Sequence, residues 1–169
     1  MLACLLWLAS ATSALAGVMT RQELSTRFPA PYSIGEKDSQ LPVWPIFEPN
    51  FQQKDGANQL VGYVFESIDL APVPGFSGVP INLLIAMDQR GNFLDVKVLS
   101  QHEPVFVGGL GEVPMHGFVS QYKGLSLKQN IKILVGPHGQ KNISPQAAEL
   151  DGITPVSYTH LTLPTNREV

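Results

Sequence analysis

The fold is decided by residues 81–100, INLLIAMDQRGNFLDVKVLS, whose pattern predicts a β-hairpin. An apolar strand over 81–87 is followed by a polar turn at 88–92 and by a second strand over 93–100. In the second strand apolar and charged residues alternate, which is typical of a strand with one buried face. The alternation predicts two opposite faces, which carry Phe93, Asp95 and Lys97 on one side and Leu94, Val96 and Val98 on the other.

The segments around the hairpin complete the pattern. Residues 60–68 are rich in β-branched and aromatic residues and predict a strand, and residues 125–135 predict at least one more. Thr20 and Glu23 have the spacing of a capping box, which predicts a short helix that begins after Thr20 and runs to about Phe28. A second helix is predicted over 112–123, with one apolar face formed by Met115, Phe118, Val119 and Tyr122. We therefore predict an α+β fold with a mostly antiparallel sheet and a few flanking helices.

Composition bounds the class of protein. The chain has 169 residues, of which 44% are apolar and 15% charged, enough for one globular domain. Its formal net charge is −3 and its Lys and Arg residues are scattered, so we expect no nucleic-acid partner. Cys4 is the only cysteine, which excludes a disulfide framework and a cysteine nucleophile in the body of the chain. Any redox chemistry therefore needs a bound cofactor.

The two ends differ from the rest of the chain. Residues 1–16 form an uncharged apolar run that ends in small residues, with Ala14 and Ala16 at the positions of a cleavage signal. We predict a signal peptide over 1–16, with an uncleaved anchor as the alternative, and an extended lead-in with a short helix over 17–58. Residues 156–169 resemble the translation of an adapter oligonucleotide used in preparing sequencing libraries, which would make them a non-native tail. A genuine Thr-rich final strand is the alternative.

Two glycine-rich segments are the candidates for chemistry. In Gly75-Phe76-Ser77-Gly78, residues without a Cβ flank a hydroxyl, so the backbone can approach a flat ring or an anion. The alternative is a tight connection into a buried strand. Residues 102–112 join a strand end to a helix start and can present N–H groups to an anion. They lack the Lys-Ser/Thr of a phosphate loop and the glycine spacing of a dinucleotide fingerprint.

Other kinds of active site are poorly supported. His102 and Glu103 are adjacent on an extended chain, where side chains point to opposite faces, so we do not expect an acid–base pair. His102, His116 and His138 lack short ligand spacing, which argues against a metal site. The chain has no Gly-x-Ser-x-Gly motif of a serine hydrolase. We therefore expect a domain that is not an enzyme.

Taken together, these segments resemble a known family. Residues 62–64, 74–81 and 96–104 look like the FMN-binding domain of the Rnf and Nqr electron-transport subunits. More specifically, nearly all of residues 20–154 resembles the NosR/NirI family of denitrifying bacteria. The motifs that carry this resemblance are Phe28-Pro29-Ala30-Pro31, Gly35-Glu36-Lys37-Asp38, Leu41-Pro42-Val43-Trp44-Pro45-Ile46-Phe47 and Phe118-Val119-Ser120-Gln121-Tyr122-Lys123-Gly124.

The resemblance implies a function and a location. In that family the domain lies in the periplasm, precedes transmembrane helices and ferredoxin-like clusters, and supports expression and activity of nitrous-oxide reductase. Residues 59–155 would then be a truncated FMN-binding electron-transfer domain of an inner-membrane protein, joined to the membrane through the missing C-terminal part. The implied partners are FMN, a periplasmic flavin transferase, and nitrous-oxide reductase or its maturation partners.

The resemblance also implies which residues bind the cofactor. In chain order they are Gly75, Ser77, Gly78, His102, Glu103, Gly109, Gly111 and Thr154. Gly75, Ser77 and Gly78 would let the backbone reach the flavin. His102 and Glu103 would lie at its polar edge, and Gly109 and Gly111 would wrap beside its phosphate arm. The family attaches FMN through its phosphate to a threonine in a Ser/Thr-Gly-Ala-Thr-like motif, and Thr154 matches the first hydroxyl residue of that motif. The acceptor position falls on Ser157, within the adapter-like tail, so we expect the natural acceptor to be lost here.

Two other functions remain as alternatives. A cofactor-free periplasmic sensory or docking module would use the same sheet as an interaction surface. A periplasmic oxidoreductase with its own small substrate is less favoured, because the sequence shows no second set of residues for substrate chemistry.

Overall fold

The computed structural model describes residues 17–50, 57–134 and 141–153. Its helices are α1 (Arg21–Arg27), α2 (Ser67–Leu70) and α3 (Val113–Ser120), with a π-helical turn at Phe106–Leu110. Its strands are β1 (Ser33–Ile34), β2 (Val43–Pro49), β3 (Asn58–Glu66), β4 (Asn82–Asp88), β5 (Phe93–Ser100), β6 (Asn130–Leu134) and β7 (Ala147–Asp151). The predicted signal peptide over 1–16, His138, Thr154 and the tail over 156–169 lie outside the described residues.

The main sheet has five strands in chain order, β1-β2-β3-β4-β5, and every neighbouring pair is antiparallel. Strands β4 and β5 form the predicted hairpin. Strands β6 and β7 pair in parallel as a smaller sheet. A mostly antiparallel sheet with a few helices confirms the predicted α+β fold.

Strand β4 is buried on both of its faces. Leu83 and Ile85 pack with α3 and β7 in one core cluster, whereas Leu84 and Ala86 pack with α1 and β2 in a second one. Because side chains alternate across a strand, a strand between two cores must be apolar at successive positions. The apolar run in this part of the sequence therefore reflects a central strand with a core on each side.

Both predicted helices form where the sequence places them. In α1 the Thr20 hydroxyl accepts the Glu23 N–H at 3.3 Å, and the Glu23 carboxylate accepts the Thr20 N–H at 2.8 Å. This capping box satisfies donors that the first turn of a helix leaves free. The predicted apolar face of α3 is buried, and the Tyr122 ring that follows it meets the Phe93 ring edge-on at 5.6 Å.

None of the helices in the described segments is long and apolar enough to cross a membrane.

The predicted faces of β5 are wrong at one residue. Phe93 pairs with Met87 and Asp95 pairs with Ala86, so Leu94 has no partner across the hairpin and forms a bulge. A bulge inserts an extra residue and shifts the alternation of everything before it. Phe93 consequently packs in the same core cluster as Val96, instead of facing the side of Asp95.

The predicted lead-in takes part in the main sheet. Its strand β2 pairs with β3 along seven residue pairs, and its Trp44 and Ile46 side chains are buried in the second core cluster. The sheet therefore crosses the boundary predicted between residues 58 and 59.

Candidate functional site

The site is organised by the buried carboxylate of Glu103, which follows the end of β5. Glu103 is fully buried. Its Oε1 accepts the Ser77 N–H at 3.2 Å and the Ser77 hydroxyl at 3.0 Å, while its Oε2 accepts the Phe76 N–H at 3.1 Å. Hydrogen bonds to an ionised acceptor are stronger than neutral ones. The carboxylate therefore fixes the shape of residues 75–78, which we call the glycine loop.

Two positions of the glycine loop require glycine. A Cβ atom built on Gly75 would lie 2.1 Å from Glu103 Oε1, so only a residue without a side chain lets the loop approach the carboxylate. Gly78 has a φ of +80°, in the left-handed region that side chains disfavour. The loop is closed by its own backbone, since the Gly75 N–H donates to Val79 O at 3.0 Å and the Gly78 N–H to Gly75 O at 3.1 Å.

The second glycine-rich segment begins at the same glutamate. The backbone carbonyl of Glu103 accepts the N–H groups of Phe106 at 3.0 Å and Val107 at 3.1 Å, which starts the π-helical turn. The Phe106 side chain is buried in the core cluster under α3. A Cβ atom built on Gly109 or Gly111 would meet nothing within 4 Å, so the backbone is open at both positions.

These two segments and the first residue of α3 carry exposed apolar side chains. Phe76 in the glycine loop is 77% exposed, Val107 in the π-helical turn is 72% exposed, and Val113 at the start of α3 is 82% exposed. Scattered exposed apolar residues are ordinary, but several on adjoining segments are typical of a binding surface. The surface combines apolar contact area with accessible backbone.

The structure brings four of the eight sequence-predicted site residues together, which are Gly75, Ser77, Gly78 and Glu103. Gly75, Ser77, Gly78 and Glu103 share one hydrogen-bonded loop contact, and Gly109 and Gly111 lie on the segment that leaves Glu103. His102 is exposed whereas Glu103 is buried, which agrees with the expectation that the two side chains point apart. Thr154 is not described, but Ile153 before it is buried in the core cluster that contains Phe106.

The observed contacts change what Glu103 can do. The resemblance implies a place at the polar edge of a flavin, yet both carboxylate oxygens accept donors of the glycine loop. Glu103 is thus a positioning residue for the loop. Among the described residues no Lys, Arg or His lies within ion-pair distance of its carboxylate, and no group of three His, Cys, Asp or Glu side chains in those segments could hold a metal ion.

Two supporting residues were missed by the reasoning from sequence. Gln101 Oε1 accepts the Glu103 N–H at 2.7 Å, and Gln101 Nε2 donates to Glu112 Oε1 at 3.2 Å. These contacts hold the strand end against the start of α3. Side-chain amides at a strand end are common, so their type alone carried no signal.

A second buried carboxylate, Glu66 at the end of β3, was also missed. It accepts Asn82 Nδ2 at 2.6 Å. A signal was present, because Glu66 is the only charged residue in the strand segment 60–68 and Asn82 interrupts the apolar run 81–87. A lone polar residue inside an apolar strand is expected to have a buried partner.

No protein-family profile matches the chain. The regulatory protein NosR of Pseudomonas aeruginosa is 27% identical over 141 residues, which cover 83% of this chain and 18% of that protein. The regulatory protein NosR of Stutzerimonas stutzeri is 32% identical over 102 residues, which cover 60% of this chain and 13% of that protein. The protein NirI of Paracoccus denitrificans is 24% identical over 99 residues, which cover 59% of this chain and 13% of that protein.

Two of these relatives are described as regulatory proteins. More particularly, they support a relationship to the NosR/NirI family, as the sequence motifs indicate. The chain spans less than a fifth of the length of the curated relatives it matches, 18% in one and 13% in the other two.

Proposed function

We propose that this chain is the periplasmic FMN-binding domain of a NosR-like inner-membrane protein, which transfers electrons and supports expression and activity of nitrous-oxide reductase in denitrification. The observation that carries the proposal is the position of Glu103, whose side chain holds the glycine loop and whose backbone starts the segment with Gly109 and Gly111. Glu103 therefore links both glycine-rich segments at one end of the sheet.

The residues at this end of the sheet fit a flavin. An isoalloxazine ring needs flat apolar cover and hydrogen-bond donors, and Phe76 and Val107 offer exposed apolar surface. Gly109 and Gly111 leave backbone accessible where a side chain would block it. The Glu103 carboxylate oxygens accept donors of the glycine loop, so the proposal assigns them no hydrogen bond to the ring. The fit thus depends on open backbone and apolar side chains.

Each group of residues has a distinct role in this proposal. FMN supplies one- and two-electron chemistry that no side chain of this chain provides. Gly75, Ser77 and Gly78 let the loop backbone lie close to the ring, and Phe76 shields one side of the ring from water. The N–H groups of residues 75–78 already donate to Val79 O, Glu103 and Gly75 O, so the loop contributes close approach and apolar cover. His102 is exposed and available to donate a hydrogen bond. Glu103 acts through the loop, because it holds the Phe76 and Ser77 N–H groups in place.

The covalent attachment belongs near Thr154. Ile153, the last described residue before Thr154, and Phe106 in the second glycine-rich segment are buried in the same core cluster, which supports this position. A phosphoester to a hydroxyl beyond this point would tether FMN beside Gly109 and Gly111. A periplasmic flavin transferase would form that bond, and the membrane part of the protein would follow it.

A titration with FMN tests non-covalent binding of the cofactor separately from its covalent attachment. The purified chain is titrated with FMN and the quenching of flavin fluorescence is followed. Gly109→Leu puts a side chain on the proposed surface, and Gly117→Leu is the matched control, since both glycines have no atom within 4 Å of a built Cβ. We expect Gly109→Leu to weaken FMN binding by about tenfold or more, with Gly117→Leu unchanged. Equal binding by both variants contradicts the proposed surface.

Covalent attachment needs the intact protein. The chain with its natural continuation past residue 154 is produced together with a periplasmic flavin transferase and then denatured. We expect the flavin absorbance to stay with the polypeptide after denaturation and to disappear when the acceptor threonine is replaced by alanine. A folded, colourless product would contradict the proposal and would favour the cofactor-free docking module, for which the exposed Phe76, Val107 and Val113 would be the contact surface.

A further inference from the structure

The start of the described chain is held by a second carboxylate cluster. Glu66 Oε1 accepts the Met19 N–H at 2.6 Å, and Glu66 Oε2 accepts the Val18 N–H at 3.0 Å. Asp69 in α2 accepts the Gly17 N–H through Oδ1 at 2.6 Å. Two acidic side chains thus bind the backbone N–H groups of three successive residues, 17–19.

Both carboxylates crowd the backbone of Gly17. A Cβ atom built on Gly17 would lie 2.6 Å from Asp69 Oδ2 and 2.6 Å from Glu66 Oε1. These distances are shorter than ordinary Cβ contacts, so a side chain at this position would force the carboxylates to shift. Carboxylate oxygens therefore approach Gly17 from more than one direction, although its peptide N–H can donate only one hydrogen.

The cluster has more negative charge and more acceptors than the described residues satisfy. Glu66 is fully buried, and within the described segments no Lys, Arg or His pairs with it. Asp69 pairs with Lys37 Nζ at 3.1 Å, and that same ammonium lies 4.3 Å from the centre of the Trp44 ring. Asn82 is 2% exposed and its Oδ1 accepts no hydrogen bond from these segments. Buried carboxylates are expected to have a cationic partner.

The sequence supplies such a partner. Gly17 directly follows Ala16, the last residue of the predicted signal peptide. We propose that processing after Ala16 makes Gly17 the first residue of the mature chain, and that its α-ammonium group binds Asp69 and Glu66. Water hydrolyses the Ala16–Gly17 peptide bond, which leaves a carboxylate on Ala16 and an amine on Gly17 that takes up a proton.

The new charge matches the surplus of acceptors. An ammonium group donates three hydrogen bonds where the peptide N–H donates one, and it adds the positive charge that Glu66 lacks. The mature N-terminus would then be locked to β3 and α2 instead of fraying, which is the usual behaviour of chain ends. This inference does not depend on a flavin.

The first experiment identifies the mature N-terminus. The full chain is exported in a bacterium with a periplasm, purified, and analysed by intact mass and N-terminal sequencing. We expect a mass that lacks residues 1–16 and a sequence that begins Gly17-Val18-Met19. Any other mature N-terminus would overturn the proposal.

The second experiment tests the contact of the amine. The α-amine of the processed chain is acylated at pH 7 by a water-soluble ester, and the N-terminal peptide is followed by mass spectrometry. We expect acylation about tenfold slower in the wild type than in Asp69→Asn, because a bound ammonium is not nucleophilic. Asp95→Asn is the control, since its carboxylate pairs with Lys97 at 3.0 Å on β5 and should leave the rate unchanged. Equal rates in the wild type and Asp69→Asn would overturn the proposal.

Thermal unfolding gives an independent measurement. The processed chain is compared with the uncleaved chain produced without export, each as wild type and as Asp69→Asn. We expect the processed wild type to unfold about 4 °C above the uncleaved chain, and most of this difference to vanish in Asp69→Asn. Identical midpoints for the processed and uncleaved wild type would overturn the proposed charge contact.

Discussion

Two buried glutamates at the same end of the main sheet both accept backbone N–H groups, but they hold different parts of the protein. Glu66 closes β3 and Glu103 follows β5, and both are fully buried. Each accepts backbone N–H groups from a distant segment, 47 and 48 residues away for Glu66 and 26 and 27 residues away for Glu103. The difference lies in what they hold. Glu66 binds the buried Met19 N–H and the part-buried Val18 N–H, whereas Glu103 binds a loop whose Phe76 is mostly exposed.

This difference gives the two glutamates different roles, since Glu66 supports global stability and Glu103 supports the conformation of the glycine loop. The donors to Glu66 include Met19 N and Asn82 Nδ2, which have no access to water if the carboxylate is lost. The donors to Glu103 lie on a loop that can move out and hydrate. A buried unsatisfied donor costs more than one that regains water. Removal of Glu66 should therefore lower global stability, and removal of Glu103 should mainly loosen the candidate site.

The largest expected effect is that of Glu66→Ala. It leaves two buried donors and the Val18 N–H unpaired, so we expect the free energy of unfolding to fall by about 3 kcal/mol or more. Urea unfolding followed by circular dichroism measures this. Glu48→Ala on β2 is the control, because the described residues give its carboxylate no hydrogen bond, and it should change stability by less than about 0.5 kcal/mol. Similar losses of stability in Glu66→Ala and Glu48→Ala would show that the hydrogen bonds of Glu66 do not stabilise the fold.

Glu103→Ala should destabilise less and act locally. We expect a loss of about 1–2 kcal/mol in the free energy of unfolding, because the loop donors recover water. Hydrogen exchange at the Phe76 and Ser77 amides should quicken strongly, while exchange in β4 stays slow. Glu103→Gln retains one accepting oxygen and should restore part of the protection. Uniformly faster exchange over the whole sheet would show that Glu103 is a global stabiliser like Glu66.

The two glycines that face these carboxylates sharpen the comparison further. A built Cβ lies 2.1 Å from Glu103 at Gly75 and 2.6 Å from Glu66 at Gly17, so we expect Gly75→Ala to cost about 1–2 kcal/mol and Gly17→Ala about 1 kcal/mol or less. A double-mutant cycle tests the cause, since Gly75→Ala should cost much less in a Glu103→Ala background. Additive effects would mean that the clash is not with the carboxylate.

How much of this could be predicted from sequence depended on whether the signal was local. The capping box at Thr20 and Glu23, the hairpin over 81–100 and the apolar face of α3 were all predicted, because each pattern is complete within about a dozen residues. The glycine loop was singled out for the same reason. Its dependence on Glu103 was not predicted, because nothing in the glycine loop or around Glu103 specifies a partner 26 or 27 residues away.

The errors also have a physical cause. The bulge at Leu94 depends on how β5 pairs with β4, so the alternation in one strand could not reveal it. Strand β2 contains Pro45 and Pro49, residues that argue against a strand, and tertiary pairing with β3 overrode that preference. The Glu66 cluster joins three segments, and the sequence indicated it only through two polar residues in apolar strands, Glu66 and Asn82.

The smallest expected effect concerns a carboxylate that acts locally. Asp88 in the hairpin turn accepts the N–H groups of Arg90 and Asn92, both at 2.8 Å, and the Asn92 amide at 2.7 Å. Burial raises the pKa of Asp88, but these hydrogen bonds and the Arg90 charge outweigh it, so its pKa lies below the ordinary value of 3.8. A lowered pKa stabilises the fold above pH 3.8, and that stabilisation is lost as the pH falls through the pKa of the folded state.

Asp88→Asn should remove the pH-dependent stabilisation by this carboxylate and lower the free energy of unfolding by less than about 1 kcal/mol at pH 7. Urea midpoints of the wild type and the variant, measured from pH 6 to about pH 2, should converge as the pH falls. A constant difference would show that the Asp88 charge does not stabilise the turn. Because its partners are at most four residues away, this loss should stay well below that of Glu66→Ala: a carboxylate stabilises the fold most when it joins distant buried segments.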